Sequence, residues 1–261
     1  MKKIRLGTIH ADFVTFNQSI DIIDRLISSR QGGFVVTPNV DHVVQAEHHE
    51  GLRTAYRHAA LSLVDGTPLL WISRLLGSPL PEKISGSDLV RPLLERAAAT
   101  GMRVYFLGSA PGVGDRAAQI LRTEMPDLKI VGVDSPPMGF DKDPALEHAV
   151  LEKATAANPD LVMIALGCPK QELLMDRWHR RMAPAVMLGI GASLDFIAGH
   201  AKRSPKWMSR WGLEWAYRLS QDPKRMAERY LFRDAAILHI FCKMLRLPKS
   251  DRVYFEERTQ P

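Results

Sequence analysis

The sequence predicts an α/β fold, a Rossmann-like and mostly parallel sheet flanked by helices. Six short apolar runs recur along the chain, with amphipathic helical patterns between them. The runs are continuous rather than alternating, which is typical of parallel strands covered on both faces, and their order implies right-handed crossovers. The predicted strands are residues 34–37, 61–64, 104–108, 130–133, 161–167 and 186–191, and the predicted helices are 17–30, 41–59, 68–76, 87–99, 113–124, 144–157 and 170–182.

Length and charge divide the chain near Gly199. With 261 residues and 46% hydrophobic content, it suits one large Rossmann-like domain, residues 1–199, followed by a helical C-terminal appendage, residues 200–261. The appendage holds fourteen Lys and Arg against seven Asp and Glu, whereas the first 200 residues are near neutral. Such a basic segment favours phosphate-bearing partners: anionic lipid, nucleic acid or a diphosphate substrate.

Cysteine content and the N-terminus predict a cytoplasmic protein. Cys168 and Cys242 are too few and too far apart for a disulfide framework or a metal cluster, so a reducing compartment is expected. The first residues are basic, but no apolar h-region follows them, and no run is long enough to span a membrane.

A single carboxylate, Asp65, stands where a buried strand ends and a helix begins. Residues 61–64 are mostly apolar, Asp65-Gly66 forms a turn, and Thr67 is expected to cap a helix whose first residue is Pro68. In open α/β sheets, ligands bind in the crevice at the carboxyl ends of the strands, where a carboxylate can serve a reaction. Taken alone, Asp-Gly is better explained as ordinary turn chemistry.

Other predicted strands also end in polar or glycine-rich turns. These turns are Thr37-Pro38-Asn39, Gly108-Ser109, residues 167–172 and the path from Gly191 to Asp195. Glycines let a ligand approach the backbone, and the N-termini of the following helices favour phosphate. Together with Asp65, these turns predict a site for a nucleotide-type ligand.

Three further features have simple structural explanations. GSAPGVG at 108–114 spaces its glycines as G-x-x-x-G-x-G, so it predicts a strand-to-helix turn near the nucleotide rather than an NAD site. Asp141-Lys142-Asp143 has the DxD form of a metal motif, but it precedes Pro144 at a predicted helix start, where aspartates are ordinary caps. Four histidines of one helical stretch lack other metal-ligand context and are expected at the surface: His42, His48, His49 and His58.

The appendage contains two candidate interface elements. Trp207, Trp211 and Trp215 recur every four residues and would line one face of a helix. Packing against the body and an amphipathic membrane-interface element explain this spacing about equally well. Residues 231–247 are also amphipathic, and a membrane surface, a partner subunit or the protein's own site could cover their apolar face.

Seven motifs follow one another along nearly the whole chain. They are TPN at 37–39, VDG at 64–66, PEKISGSDL at 81–89, FLGS at 106–109, LGCPKQE at 166–172, GIGASLDFIAG at 189–199 and a tail at 203–230 with R-x-P-x-W, E-W-x-x-R and P-x-R. Together they resemble the WecG/TagA/CpsF family of glycosyltransferases. The resemblance implies an enzyme that moves a sugar, with inversion and without a metal or cofactor, from a UDP-sugar to a polyprenyl diphosphate-linked saccharide. It also implies a peripheral position at the inner face of the cell membrane, in the synthesis of a bacterial surface or exported polysaccharide.

The resemblance assigns roles around the Asp65 turn. Asp65 matches the proposed general base that takes the proton of the acceptor hydroxyl. Thr37 and Asn39 match polar positions beside that carboxylate, where they would orient the acceptor or the sugar. The motifs also carry over Gly66, Lys83, Gly86, Asp88, Gly108 and Arg203 as substrate-binding positions.

The resemblance also assigns the nucleotide side. Gln171 and Asp195 match positions that face uracil and ribose. Arg218 and Arg225 match tail arginines expected to close over the diphosphate, a task that suits the bidentate guanidinium. Ordering of the tail on a membrane would thus also activate the enzyme.

Two positions depart from the family pattern. Lys83 stands where the family usually has arginine, so the charge remains but a bidentate contact is in doubt. Pro68 replaces a second glycine after Asp-Gly, which fits the predicted helix start and could shift sugar specificity. The donor sugar stays open between N-acetylmannosamine, its uronic acid, glucose and another hexose.

The main alternative is a non-catalytic nucleotide-sugar or anionic-lipid binding protein of the same fold, which would bind UDP yet tolerate Asp65→Asn. An NAD-dependent oxidoreductase and a nucleic-acid binder are disfavoured, because the chain has neither a dinucleotide fingerprint nor a groove-reading motif. The expected partners are the UDP-sugar, the lipid diphosphate-linked acceptor and an anionic membrane surface contacted by the appendage. A homo-oligomer is also open.

Overall fold

A computed structural model describes residues 1–205, 208 and 213–255, without the side chains of residues 218, 225, 229, 231 and 232. Its main sheet has six strands, and each pair of neighbours is parallel. The order across the sheet is β4-β3-β8-β7-β5-β6. The strands are β3 (Gly33–Val36), β4 (Leu61–Ser62), β5 (Arg103–Gly108), β6 (Lys129–Asp134), β7 (Leu161–Ala165) and β8 (Val186–Gly189). The predicted α/β fold with a parallel sheet is confirmed.

Helices cover both faces of this sheet. They are α1 (Phe16–Ser28), α2 (Val40–Ala46), α3 (Glu50–His58), α4 (Thr67–Leu75), α5 (Gly86–Thr100), α6 (Val113–Glu124), α7 (Pro144–Ala156), α8 (Lys170–Met182) and α9 (Ser193–Ile197). Successive strand residues point to opposite faces, so Phe34 and Val36 enter a core with α2, α3, α7 and α8, while Val35 enters a second core with α1, α5 and α6. Burial on both faces explains the continuous apolar runs of the sequence.

Local boundaries differ from the predicted ones at two helices. The predicted helix 41–59 is wrong as one element, because α2 ends at Ala46 and the side chain of His49 caps α3 by accepting from the Leu52 N–H at 3.2 Å. Thr67 is not the cap of α4. It is the first helical residue, and Gly66, with φ +124°, precedes it without a side-chain cap.

The GSAPGVG segment and the Asp141-Lys142-Asp143 segment form the strand-to-helix turn and the helix cap that the sequence predicts. The GSAPGVG segment turns from β5 into α6, with Gly112 at the helix N-cap. Asp143 caps α7 by accepting from the N–H groups of Ala145 and Leu146 at 2.9 and 3.2 Å. Asp141 lies in a short 3-10 turn, Phe140–Lys142.

A small antiparallel sheet was not predicted from the sequence. It consists of β1 (Lys2–Leu6), β2 (Ile9–Asp12) and β9 (Val253–Phe255), in the order β2-β1-β9. Its hairpin is tied to the edge strand β4, because Ser62 donates its N–H to Asp12 Oδ2 at 2.8 Å and its hydroxyl to the His10 carbonyl at 2.6 Å. Since β9 pairs with β1, the C-terminal segment returns to the N-terminal hairpin.

The C-terminal segment is helical between residues 214 and 252. Its elements are α10 (Glu214–Gln221), α11 (Pro223–Ala227), a π-helical turn (Glu228–Arg233), a 3-10 turn (Asp234–Ala236), α12 (Ile237–Leu245) and α13 (Lys249–Arg252). The amphipathic segment predicted at 231–247 therefore becomes α12 only from Ile237. Ile240 and Met244 of α12 are buried against the body, so the protein itself covers part of its apolar face.

Ion pairs fix the start of this segment to the body. Arg203 Nη2 pairs with Asp88 Oδ1, and Lys83 Nζ lies 4.0 Å from Asp88 Oδ2 and 3.8 Å from Glu214 Oε2. Asp88 also accepts from the Ser85 hydroxyl at 2.7 Å. Burial would raise the pKa of Asp88, but the Ser85 hydrogen bond and the Arg203 and Lys83 charges together hold it below its ordinary value.

We expect Gly108→Ala to destabilise the protein more than Gly112→Ala does. A Cβ at Gly108 would lie 2.5 Å from the Ala165 carbonyl oxygen, at a φ of +103°. Gly112 has a φ of +79° but no neighbouring atom within 4 Å, so its substitution costs only the backbone strain, about 1–2 kcal/mol. Urea unfolding should show a larger loss at Gly108, and equal losses would contradict packing as the reason for this glycine.

We expect Asp88→Asn to lower the free energy of unfolding by about 1 kcal/mol at pH 7. Because the folded pKa is depressed, the stabilisation is present above the unfolded pKa and is lost as the pH falls through the folded value. The difference from wild type should therefore shrink below about pH 4. Urea titrations at pH 7 and pH 3 check this, with Asp127→Asn as an exposed control, and a constant difference would contradict it.

Candidate functional site

A cavity of about 640 Å³ opens at the carboxyl ends of the parallel strands. Turns after β3, β4, β7 and β8 line it, together with the N-terminus of α5 and residues of the C-terminal segment. The predicted site residues that line it are Thr37, Asn39, Asp65, Gly86, Gln171 and Asp195. The turn after β5 is not part of the lining, so the predicted convergence of strand ends holds for four of the five turns.

Asp65 is held by the backbone of two neighbouring turns. Its N–H donates to the Pro38 carbonyl at 2.8 Å, and the preceding Val64 carbonyl accepts from the Ile84 N–H at 2.7 Å. Gly66 then redirects the chain into α4 with a positive φ. These bonds fix the backbone that presents the partly exposed Asp65 side chain to the cavity, where a carboxylate can accept a proton from a bound hydroxyl.

Thr37 and Asn39 lie on the turn that follows β3. Thr37 is buried at the cavity wall, and the Asn39 side chain caps α2 by accepting from the His42 N–H at 3.4 Å. Gly86 packs against this wall: a Cβ there would lie 2.6 Å from the Gly189 carbonyl oxygen and 3.5 Å from Thr37 Oγ1. Gly86 therefore permits close packing of α5 against the end of β8.

Gln171 joins the turns after β7 and β8 in the cavity lining. Its carboxamide oxygen accepts from the N–H groups of Gly167 and Gly191 at 3.2 and 3.3 Å. Its Nε2 donates to Glu172 Oε1 at 2.7 Å, and both side chains are buried. The amide thus orders the loops after β7 and β8, and the second of these loops leads into α9, which carries Asp195.

A buried polar pair at the cavity, of which His42 is a lining residue, was not predicted from the sequence. His42 Nδ1 and the Tyr56 hydroxyl are 2.8 Å apart, and both side chains are buried, so the prediction of a surface histidine at 42 is wrong. Burial raises the pKa of Tyr56 well above its ordinary value, and the charge of Glu172 adds to the shift. Tyr56 therefore stays protonated at neutral pH. The position of His42, directly after the polar turn at 37–39, was the one available signal.

The remaining predicted positions whose side chains the structure describes lie around the cavity rather than in its lining. Lys83 and Arg203 meet at Asp88, and Lys83 reaches Glu214, which does line the cavity. Gly66 adjoins Asp65, and Gly108 packs against Ala165. The side chains of Arg218 and Arg225, and the whole of Trp207 and Trp211, lie outside the described residues. Trp215 is about half exposed and meets the Tyr230 ring edge-on at 6.2 Å.

The C-terminal segment contributes lining residues that sequence reasoning did not identify. They are Ala201, Lys202, Ser204, Glu214, Tyr217, Gln221, Asp222, Met226 and Arg233. Arg233 Nε pairs with Asp41 Oδ1 of α2 at 2.7 Å. General basicity of the tail was the only sequence signal for Arg233. Within the described part of the chain, no group of three His, Cys, Asp or Glu side chains is arranged to hold a metal ion.

One family of known proteins matches nearly the whole chain. The model of the Glycosyl transferase WecG/TagA/CpsF family matches residues 4–251. A protein of Bacillus spizizenii named N-acetylglucosaminyldiphosphoundecaprenol N-acetyl-beta-D-mannosaminyltransferase is 33% identical over 199 residues, which cover 76% of this chain and 75% of that protein. A protein of the same name from Bacillus subtilis is 31% identical over 207 residues, 79% of this chain and 78% of its own. With the match extending from the N-terminal hairpin to α13, the chain belongs to the WecG/TagA/CpsF family of glycosyltransferases.

Proposed function

We propose that this glycosyltransferase moves N-acetylmannosamine from UDP-N-acetylmannosamine to N-acetylglucosamine linked to undecaprenyl diphosphate, in the synthesis of a cell-envelope or exported polysaccharide. The names of two relatives above 30% identity support this donor and acceptor. The observation that carries the proposal is the position of Asp65, fixed by the backbone at a cavity large enough for a nucleotide sugar.

Asp65 acts as the general base. Its carboxylate takes the proton of the acceptor hydroxyl as that oxygen attacks the anomeric carbon. The bond between this carbon and the UDP oxygen breaks, UDP leaves with the electron pair, and attack opposite the leaving group inverts the configuration. Thr37 and Asn39 lie on the adjacent turn and orient the reacting groups.

The nucleotide occupies the side of the cavity near β8. Gln171 orders the two glycine turns there, and Asp195 lines the same wall, where its carboxylate can accept hydrogen bonds from the nucleoside. Cationic side chains of the C-terminal segment neutralise the diphosphate of the leaving UDP, so residues 200–261 complete the site. No metal is required for this chemistry in our proposal.

Asp65→Asn should lower kcat by at least about 100-fold and leave UDP affinity unchanged, because the amide cannot take the acceptor proton. UDP release with the proposed donor and a short-chain lipid diphosphate acceptor measures kcat, and calorimetry measures UDP binding. The same assay with EDTA tests metal independence.

Asp127→Asn, on the surface, serves as the matched control and should behave as wild type. Unchanged turnover in Asp65→Asn would remove Asp65 as the base. Wild type that binds UDP but releases none in the presence of any acceptor would favour the non-catalytic binding protein.

We also propose that the protein docks on an anionic membrane through a face built from α4 and α12. Trp71 and Leu75 are 51% and 67% exposed on α4, and Leu238 is 68% exposed on α12. The guanidinium of Arg252 joins the C-terminal ends of the two helices, donating to the carbonyls of Leu76 at 3.4 Å and of Leu245 at 2.6 Å. Leu75 and Leu245, which is 43% exposed, lie at these ends, and Leu238 precedes Leu245 by seven residues on the same face of α12, so the three leucines form one apolar surface, the docking face.

Charge around the docking face favours anionic lipid over a second copy of the chain. Four exposed cations lie on or shortly after its two helices: Arg74, Lys243, Arg246 and Lys249. Asp251 is the sole carboxylate between residues 237 and 252. Amphipathic helices with this pattern lie in the headgroup region of a bilayer. No helix in the described part of the chain is both long and apolar enough to cross a membrane.

Leu75→Ser combined with Leu238→Ser should weaken binding to phosphatidylglycerol vesicles by at least about tenfold, because two buried leucine contacts with the bilayer are lost. Vesicle sedimentation in a salt series measures this. Leu146→Ser, an equally apolar change at an exposed position of α7, should bind as wild type. Equal binding by all three proteins, or a change only in oligomeric state, would contradict the docking face.

A further inference from the structure

An ion pair with one buried partner joins the C-terminal segment to α2 in the lining of the cavity. Asp41, in the first turn of α2, is 4% exposed, and its Oδ1 lies 2.7 Å from Arg233 Nε. Arg233 comes from the π-helical turn Glu228–Arg233, and its side chain is 48% exposed. Both residues line the cavity that contains Asp65.

Because Asp41 is buried, its negative charge requires a compensating cation. A carboxylate removed from water is costly unless a cation and hydrogen bonds compensate it, so Asp41 holds the guanidinium in place. Asp41 engages the Nε edge of Arg233. The guanidinium has two further nitrogens with four N–H donors, and the half-exposed side chain reaches the cavity. A fixed arginine of this kind binds a phosphate oxygen at little entropic cost.

The described lining of the cavity is rich in carboxylates, so a diphosphate needs a fixed cation there. Five of its described lining residues are carboxylates, Asp41, Asp65, Asp195, Glu214 and Asp222. Lys202 and Arg233 are the lysine and arginine among the described lining side chains. A diphosphate carries at least two negative charges, and without fixed cations these carboxylates would repel it. The pairing of Arg233 with Asp41 neutralises one of the carboxylates that would repel a diphosphate. It also holds the guanidinium in place as a hydrogen-bond donor.

We propose that Arg233 is a phosphate-binding residue for the diphosphate that occupies this cavity, and that Asp41 is the residue that positions it. The inference rests on the proposed function. The chemistry recognised is a diphosphate ester, which could belong to the nucleotide donor or to the lipid-linked acceptor. π-Helical turns occur often at functional sites, and the turn at 228–233 delivers this side chain to the cavity.

Arg233→Gln should weaken UDP binding by at least about tenfold and leave uridine binding unchanged, since a charge-assisted contact to phosphate is lost. Calorimetry with uridine and UDP measures this difference. Arg233→Lys should lose part of the UDP affinity, because it keeps the charge but not the fork. Asp41→Asn should lose less UDP affinity than Arg233→Gln, because the guanidinium remains but is no longer held. Arg122→Gln, an exposed arginine on α6, is the control.

The acceptor is the second arm of the experiment. If UDP binding by Arg233→Gln equals wild type while the KM of the lipid diphosphate acceptor rises tenfold, Arg233 binds the acceptor diphosphate. Equal weakening of uridine and UDP would mean that Arg233 only anchors the C-terminal segment, and would overturn the proposal. Unchanged UDP affinity and unchanged acceptor KM would also overturn it.

Failure of the proposed function has a different signature, because it requires that wild type release no UDP. If thermal unfolding shows that Arg233→Gln does not fold, Arg233→Lys and Asp41→Asn are compared with wild type instead. Equal UDP affinity and equal acceptor KM in wild type and both of these variants would then overturn the proposal.

Discussion

Parallel pairing of β3 with both β4 and β8 is the constraint on which the site depends. Val35 pairs with Leu61 on one side and with Leu188 on the other, so three strands end at one edge of the sheet. The chain must leave each strand there, and its turns cannot be covered by the helices on the two faces. Thr37, Asp65 and the turn at 190–192 therefore meet in space although up to 155 residues separate them in sequence.

Hydrogen bonds among these turns convert proximity into fixed geometry. The Asp65 N–H bonds to the turn after β3, and the Gln171 carboxamide bridges the turns after β7 and β8. Beneath them, the buried pair of His42 and Tyr56 supports α2 and α3. A reacting carboxylate benefits from such preorganisation, because little reorganisation remains to be done when the substrate binds. The C-terminal segment then encloses this edge, anchored at Asp88 and Asp41.

Much of this arrangement could be predicted from the sequence because its signals are local. Continuous apolar runs identify buried parallel strands, and polar turns after them identify the edge that carries Asp65. The β1–β2 hairpin and its pairing with β9 could not be predicted, because residues 253–255 meet residues 2–4 only through the fold. The Asp41–Arg233 pair and the burial of His42 could not be predicted for the same reason. Helix 41–59 was misjudged because helical periodicity continues across the break that His49 caps.

A crystal structure with UDP bound tests the central claim most directly, namely that the cavity between Asp65 and the β8 turn is where the nucleotide sugar meets its acceptor. The account predicts the uridine beside Asp195 and the turn at 190–192, with the diphosphate directed toward the C-terminal segment and open space beside Asp65 for the sugar. UDP bound at the turn after β5, away from Asp65 and Asp195, would contradict it.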